Sequence, residues 1–272
     1  MKEYKEEYKQ EKKNAKSNYK NIKEEAKQDY KDEKVELKKS KKLKKTKYKQ
    51  QKMKLKKDKP KKIRNDGPRL STLEEIGNSI THGVGAIFSV VALILMLNKA
   101  DTDNEVLSSI VYFGGLFSMF LISTLYHAFR YGSMVKIIFR RLDYSSIYIL
   151  IGATYTPILL LYLGGTLGNV LASIEWVVIV VGITMMAVFG ANRLKWLHFP
   201  LYFVIGWSGL LFIPMMISNN LPLFGFIISG GVMYTLGMIP FVRHNKSSHF
   251  IWHFFVLAGA ILHWVGIYLY IL

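Results

Sequence analysis

Polar and apolar positions in this chain fall into two regimes. Up to about residue 70 nearly every position is charged or polar. Beyond it come seven apolar stretches, at approximately 79–98, 107–129, 140–162, 170–190, 196–217, 221–242 and 249–271. Each is close to the ~20 residues with which an α-helix crosses a bilayer. The gaps between them are short and hold most of the remaining charge. Pro157, Pro200, Pro214 and Pro240 do not argue against helices, because neighbouring helices in a bundle can satisfy the backbone groups they free. The pattern predicts an all-α integral membrane protein, a seven-transmembrane helix bundle over 71–272, preceded by a separate segment 1–70.

Charge orients the bundle. The connection at 130–141 carries Arg130, Lys136, Arg140 and Arg141; that at 191–195 carries Arg193 and Lys195; that at 243–248 carries Arg243 and Lys246. The alternate connections are acidic or uncharged. By the positive-inside rule the N-terminus is expected in the cytoplasm and the C-terminus outside, in a multi-pass protein of the cell (plasma) membrane. The formal net charge of +18 belongs mostly to residues 1–70, which hold 28 of the 37 Lys and Arg. Over 38–62 there are 15 Lys against the single Asp58, a block too repulsive to pack a core and expected to be flexible or only partly helical. Such a block beside the inner leaflet suits anionic lipid headgroups, with Lys54, Lys56, Lys57, Lys61 and Lys62 as expected contacts. The tail has no nucleic-acid motif, and no nucleic-acid partner is expected. There is no cysteine, which removes thiolate metal sites. The N-terminal residues have no apolar core of a cleavable signal peptide.

Ionisable residues inside an apolar span are costly without partners. In the predicted topology they gather at one level. His127, in STLYH, lies near the cytoplasmic end of the second span, Asp143 in the first turn of the third, and His249 and His253 in the first two turns of the seventh. Glu75, Asn78 and His82 lie at the start of the first. Three imidazoles and a carboxylate in one layer suit a catalytic zinc site, which takes neutral imidazole nitrogens and keeps a position open. The i,i+4 pair His249 and His253 can supply two ligands and His127 the third. Asp143 is placed to hold water or act as general base, and Ser123, one turn from His127, to orient a ligand or donate to a developing oxyanion. Glu75, Asn78 and His82 read as structural polar residues, with His82 a hydrogen-bonder. His198 and His244 read as connection residues facing headgroups, and His263 is too deep to join the others.

EEIGNSITH, SxxxH, the Asp of RRLDYSSIYILIGATYTP and HxxxH on the last span resemble the hemolysin III family, the bacterial branch of the progestin and adiponectin receptor (PAQR) superfamily. The resemblance covers 71–272 and leaves out the lysine-rich tail. It implies seven helices, a cytoplasmic N-terminus, and Zn2+ held by His127, His249 and His253, with Asp143 touching it through water and Ser123 alongside. Related membrane proteins include alkaline ceramidases, so hydrolysis of a lipid amide or ester bond is the implied chemistry. A receptor-like sensor with structural zinc is the alternative, and membrane lysis, which the family name suggests, a third. GWSG at 206–209 has the GxSG form of intramembrane rhomboid proteases, but small residues in a span more commonly serve helix packing.

Overall fold

The computed structural model describes residues 1–57, 69–190, 193–243 and 247–272. The chain divides into two units, Met1–Lys62 and Ile63–Leu272. The first is a single helix, α1 (Lys2–Lys57). It continues through the lysine block, where a transient helix was expected, because lysine is a good helix former and no Gly or Pro occurs before Pro60. Lys54 is exposed near its end, Lys56 and Lys57 lie in its last turn, and Lys61 and Lys62 lie outside the described residues.

The second unit contains α2 (Thr72–Lys99), α3 (Asp103–Ala128), α4 (Met134–Pro157), α5 (Gly165–Phe189), α6 (Lys195–Gly206), α7 (Ile213–Asn219), α8 (Leu221–Arg243) and α9 (Ser248–Tyr270). Among the described residues they form seven spans, with α6 and α7 sharing the fifth. Several helices start earlier than their apolar runs because polar caps extend them. Ser71 and Glu74 form a reciprocal capping box at α2, and Thr102 and Glu105 do the same at α3. Ser133 caps α4, so Asp143 sits in its third turn and not in its first.

The packing is that of a protein whose solvent is hydrocarbon. On α2, Ile76, Ile80, Val84, Ile87 and Val91 are exposed, while Asn78, Thr81, His82, Gly85 and Ser89 are buried. Small and polar residues face the neighbouring helices and branched aliphatic ones face outward, as expected where lipid supplies no hydrophobic drive for association. α2 packs against α3 and α9, α3 against α4, and α8 against α9. Tyr112, Leu116, Phe120 and Ala153 are fully enclosed.

Gly115 meets Ala153 so closely that a methyl group would collide with the Ala153 Cβ, whereas at Gly114 nothing lies within 4 Å of the same position. Gly115→Ala should therefore lower stability by about 1–3 kcal/mol, the usual cost of overpacking, while Gly114→Ala should be neutral or slightly stabilising. Thermal unfolding of the two variants in detergent reads the difference.

The fifth span breaks at the GWSG sequence, where α6 gives way to a 3₁₀ turn over Ser208–Phe212. Tyr155 supports the break: its hydroxyl donates to Gly206 O at 2.8 Å and accepts from Gly209 N at 2.7 Å. Ser208 donates to Ile205 O at 2.7 Å, which makes this motif a backbone device. His263, unexplained by the sequence, bonds Ile227 O at 2.9 Å and packs over Gly230, joining α8 to α9. His198 does not face headgroups. It is 1% exposed and its Nδ1 lies 2.8 Å from the Tyr148 hydroxyl, because the following turns of α6 carry it into the bundle. His244 lies outside the described residues.

Candidate metal centre

Three helices meet at one end of the bundle. α3 ends one residue after His127, and α9 begins one residue before His249. α2 runs between them, and its start is tied to α9 because Ser247 N donates to Glu74 Oε1 at 2.6 Å. The four-residue spacing of His249 and His253 then points both rings at α3. His127, His249 and His253 each present a ring nitrogen within 4.8 Å of the other two. His127 and His253 are 2% and 1% exposed.

The donor set fits a metal ion. The Nε2 atom of His249 lies 3.2 Å from that of His127 and 3.3 Å from that of His253. Adjacent ligands of a tetrahedral ion with 2.0–2.1 Å bonds are about 3.3–3.4 Å apart. The opposite ring nitrogens fix the tautomers. His127 Nδ1 donates to Glu75 Oε2 at 2.7 Å, leaving its Nε2 as a lone pair. His253 Nδ1 lies 3.4 Å from Thr81 Oγ1, whose own proton goes to the Gly77 and Asn78 carbonyls at 2.9 and 3.0 Å. Thr81 therefore acts as acceptor, and His253 Nε2 is also a lone pair. Two lone pairs converging on His249 Nε2 leave the cluster short of protons, which a cation relieves.

Around this set, His82 is fully buried and stacks on the His253 ring, with centroids 3.7 Å apart and planes 18° apart. This stacking on a candidate ligand ring is its main contribution to the cluster. Asn78 places Nδ2 3.4 Å from His127 Nδ1. Asp143 stands outside the three-histidine group, with Ser123 facing its carboxylate and His127 nearby. One of its carboxylate oxygens is buried and unpartnered among the described residues.

Sequence reasoning placed Glu75 here only as a structural polar residue. In the structure it bridges His127 and Lys136, whose Nζ donates to Glu75 Oε1 at 2.7 Å and lies 4.7 Å from the Tyr126 ring centre. Lys136 is 3% exposed and so is not the solvated connection cation that its position suggested. Thr81 was missed altogether, although Asn78, Thr81 and His82 share one face of an otherwise apolar helix, and that periodicity was the available signal. Because Glu75 sets the tautomer of one ligand, Glu75→Gln should weaken metal affinity ten- to a hundredfold while His127 remains in place. Metal titration of the purified variant against wild type measures this.

Beside the cluster lies an apolar cavity of about 170 Å³ between α4, α6, α8 and α9. Phe241 and Trp252 line one part of it, and the Phe241 ring is 5.8 Å from that of His249. Tyr155, Trp207 and His263 line another.

Comparison with known proteins agrees with the sequence motifs. The family described as Haemolysin-III related matches residues 70–264. Hemolysin-3 of Bacillus cereus is 37% identical over 205 residues, covering 73% of this chain and 92% of that protein. The Hemolysin-3 homolog of Bacillus subtilis (strain 168) is 34% identical over 192 residues, covering 69% and 89%. The human Monocyte to macrophage differentiation factor is 27% identical over 204 residues, covering 73% and 84%.

Proposed function

The chain belongs to the Haemolysin-III related family of membrane proteins, and from that premise we propose that it is a zinc-dependent hydrolase of a lipid amide or ester bond. The observation that supports this reading most is the convergence of three Nε2 atoms beside a buried carboxylate, a hydroxyl and an apolar cavity. His127, His249 and His253 hold the ion. When bound, zinc supplies Lewis acidity and lowers the pKa of water to near neutrality. Glu75 and Thr81 orient His127 and His253 by accepting from their Nδ1 protons. Asp143 accepts a proton as general base and returns it to the leaving group, and Ser123 donates a hydrogen bond to negative charge developing on the carbonyl oxygen. The cavity receives hydrocarbon, and the packed bundle keeps bulk water from the reacting bond. The test is release of fatty acid from a panel of lipid amides and esters by the purified protein, with turnover stopped by chelator and restored by zinc. No release from any of them would overturn the reading.

A second reading, a receptor-like sensor with structural zinc, draws on Glu74 and Glu75, which tie the start of α2 to α9, α3 and α4. It predicts that metal and lipid change stability and packing without turnover. Membrane lysis ranks third, since His82, His127, His253 and Asn78 are buried at this level, which suits a packed core better than a pore. The loop charges support the plasma membrane as the site of action, with the N-terminus and the metal centre on the cytoplasmic side. We read residues 1–70 as a tail and 71–272 as the membrane domain, and propose Lys54, Lys56, Lys57, Lys61 and Lys62 as the residues that meet anionic headgroups.

A further inference from the structure

The tail carries an internal repeat. Residues 1–55 align as five consecutive undecapeptides, MKEYKEEYKQE, KKNAKSNYKNI, KEEAKQDYKDE, KVELKKSKKLK and KTKYKQQKMKL. The fifth position is lysine in all five, and the eighth is tyrosine in the first three. Eleven residues make almost a whole three turns of α-helix, with a drift of only about 20° per repeat. On the continuous helix α1 the repeat therefore becomes a face.

Lys5, Lys9, Lys12, Lys16, Lys20, Lys23, Lys27, Lys31, Lys34, Lys38, Lys42, Lys45 and Lys49 follow one another at intervals of three or four, an unbroken stripe about 66 Å long. Tyr8, Tyr19 and Tyr30 run alongside it, with Ala15 and Leu37. The opposite face presents Glu7, Asn14, Asn18, Glu25, Asp29 and Glu36. From Lys5 to Lys54 every residue of this helix is exposed. Like charges at i,i+4 destabilise a helix, whereas mixing these acids among the lysines would have stabilised it. Up to Lys34 the lysines are collected on this side, whereas Lys39, Lys44 and Lys47 add charge around the rest of the helix. Collecting them over the first three repeats makes physical sense where an extended negative surface faces the stripe.

We infer that α1 is a surface helix that lies along an anionic bilayer, with its lysine stripe on the phosphates and its tyrosines at headgroup depth. The occupant is chosen by three features. The chain joins α1 to the first membrane span through residues 58–71. Tyrosine beside lysine is the composition of a membrane-interface helix. The lysine stripe persists through 38–49, where the acidic residues that could pair a second copy of this helix have run out. The inference rests on the lipid reading of the lysine block but goes beyond it, because a merely polybasic tail has no preferred face.

The absence of cysteine makes the test direct. In the full-length protein, single-cysteine variants Tyr19→Cys and Lys27→Cys on the stripe side, and Asn18→Cys and Glu25→Cys on the opposite face, are spin-labelled. They are reconstituted one chain per nanodisc, in phosphatidylcholine alone or with phosphatidylglycerol added. The expected result is severalfold lower access of a water-soluble relaxation agent at 19 and 27 than at 18 and 25, with anionic lipid only, and lost at high salt. Equal access on both faces overturns the inference. So does protection that requires several chains per disc, which means self-association, or that appears only with added duplex nucleic acid. A charge-conserving variant, Lys16→Glu and Lys27→Glu with Glu25→Lys and Glu36→Lys, separates the two readings through vesicle binding. Weaker binding to anionic vesicles supports the face. Unchanged binding overturns it and leaves the polybasic reading standing. If the wild-type tail itself gives no salt-sensitive binding, both fall.

Discussion

Replacing His249 and His253 together by alanine should abolish metal binding: about one zinc per chain in the detergent-purified wild type and none in the variant, read by mass spectrometry. The large effect follows from the geometry. The three nitrogens lie within 4.8 Å of one another, and one ligand cannot hold the ion that three hold. The loss should also appear in folding. A ligand that binds only the native state at a thousandfold its Kd adds about 4.1 kcal/mol. Wild-type unfolding should therefore shift upward with added zinc and downward with chelator, while the double variant shifts with neither. The stacked His82 loses its partner ring in the variant, so some loss of stability independent of metal is expected as well. His249→Ala and His253→Ala made singly, each with metal content unchanged, would remove the basis for both the hydrolase and the sensor.

The second large effect is expected at Asp143. If it moves a proton during turnover, Asp143→Asn should reduce the rate by about 10²–10⁴ while metal content stays near one per chain, since Asp143 stands outside the ligand group. Ser123→Ala should cost roughly 10²–10³ if the hydroxyl stabilises a developing oxyanion. A sensor predicts otherwise: both substitutions would shift the unfolding temperature and leave no catalytic rate to lose. Paired measurements of zinc content, fatty-acid release and unfolding temperature on the same preparations separate these outcomes. Retained turnover in Asp143→Asn would remove this residue from the chemistry.

Some of this was legible in the chain because the signals are local or nearly so. Apolar runs of spanning length gave the seven helices, and their true starts lie a few residues earlier because Ser71, Thr102 and Ser133 cap them. The i,i+4 spacing of His249 and His253 put two imidazoles on one face, and the alternation of spans brought His127 to their level. Other features were hidden by sequence distance. Glu75 is separated from His127 by 52 positions and from Lys136 by 61, and Thr81 from His253 by 172. His198 sits between apolar neighbours at a connection, where nothing local shows that its helix turns it inward onto Tyr148.

The sequence by itself determined the class of solvent, the number of crossings, the segregation of the lysine tail and the residue types available for a metal. These follow from transfer free energy and helical period, which are properties of consecutive residues. Only the tertiary structure decided which carboxylate sets a tautomer, that Lys136 and Thr81 join the surroundings of the three imidazoles, and that GWSG is a break held by Tyr155. Those depend on how three or four helices approach one another. That approach is set by caps, glycine contacts and buried hydrogen bonds that no single segment of the chain contains.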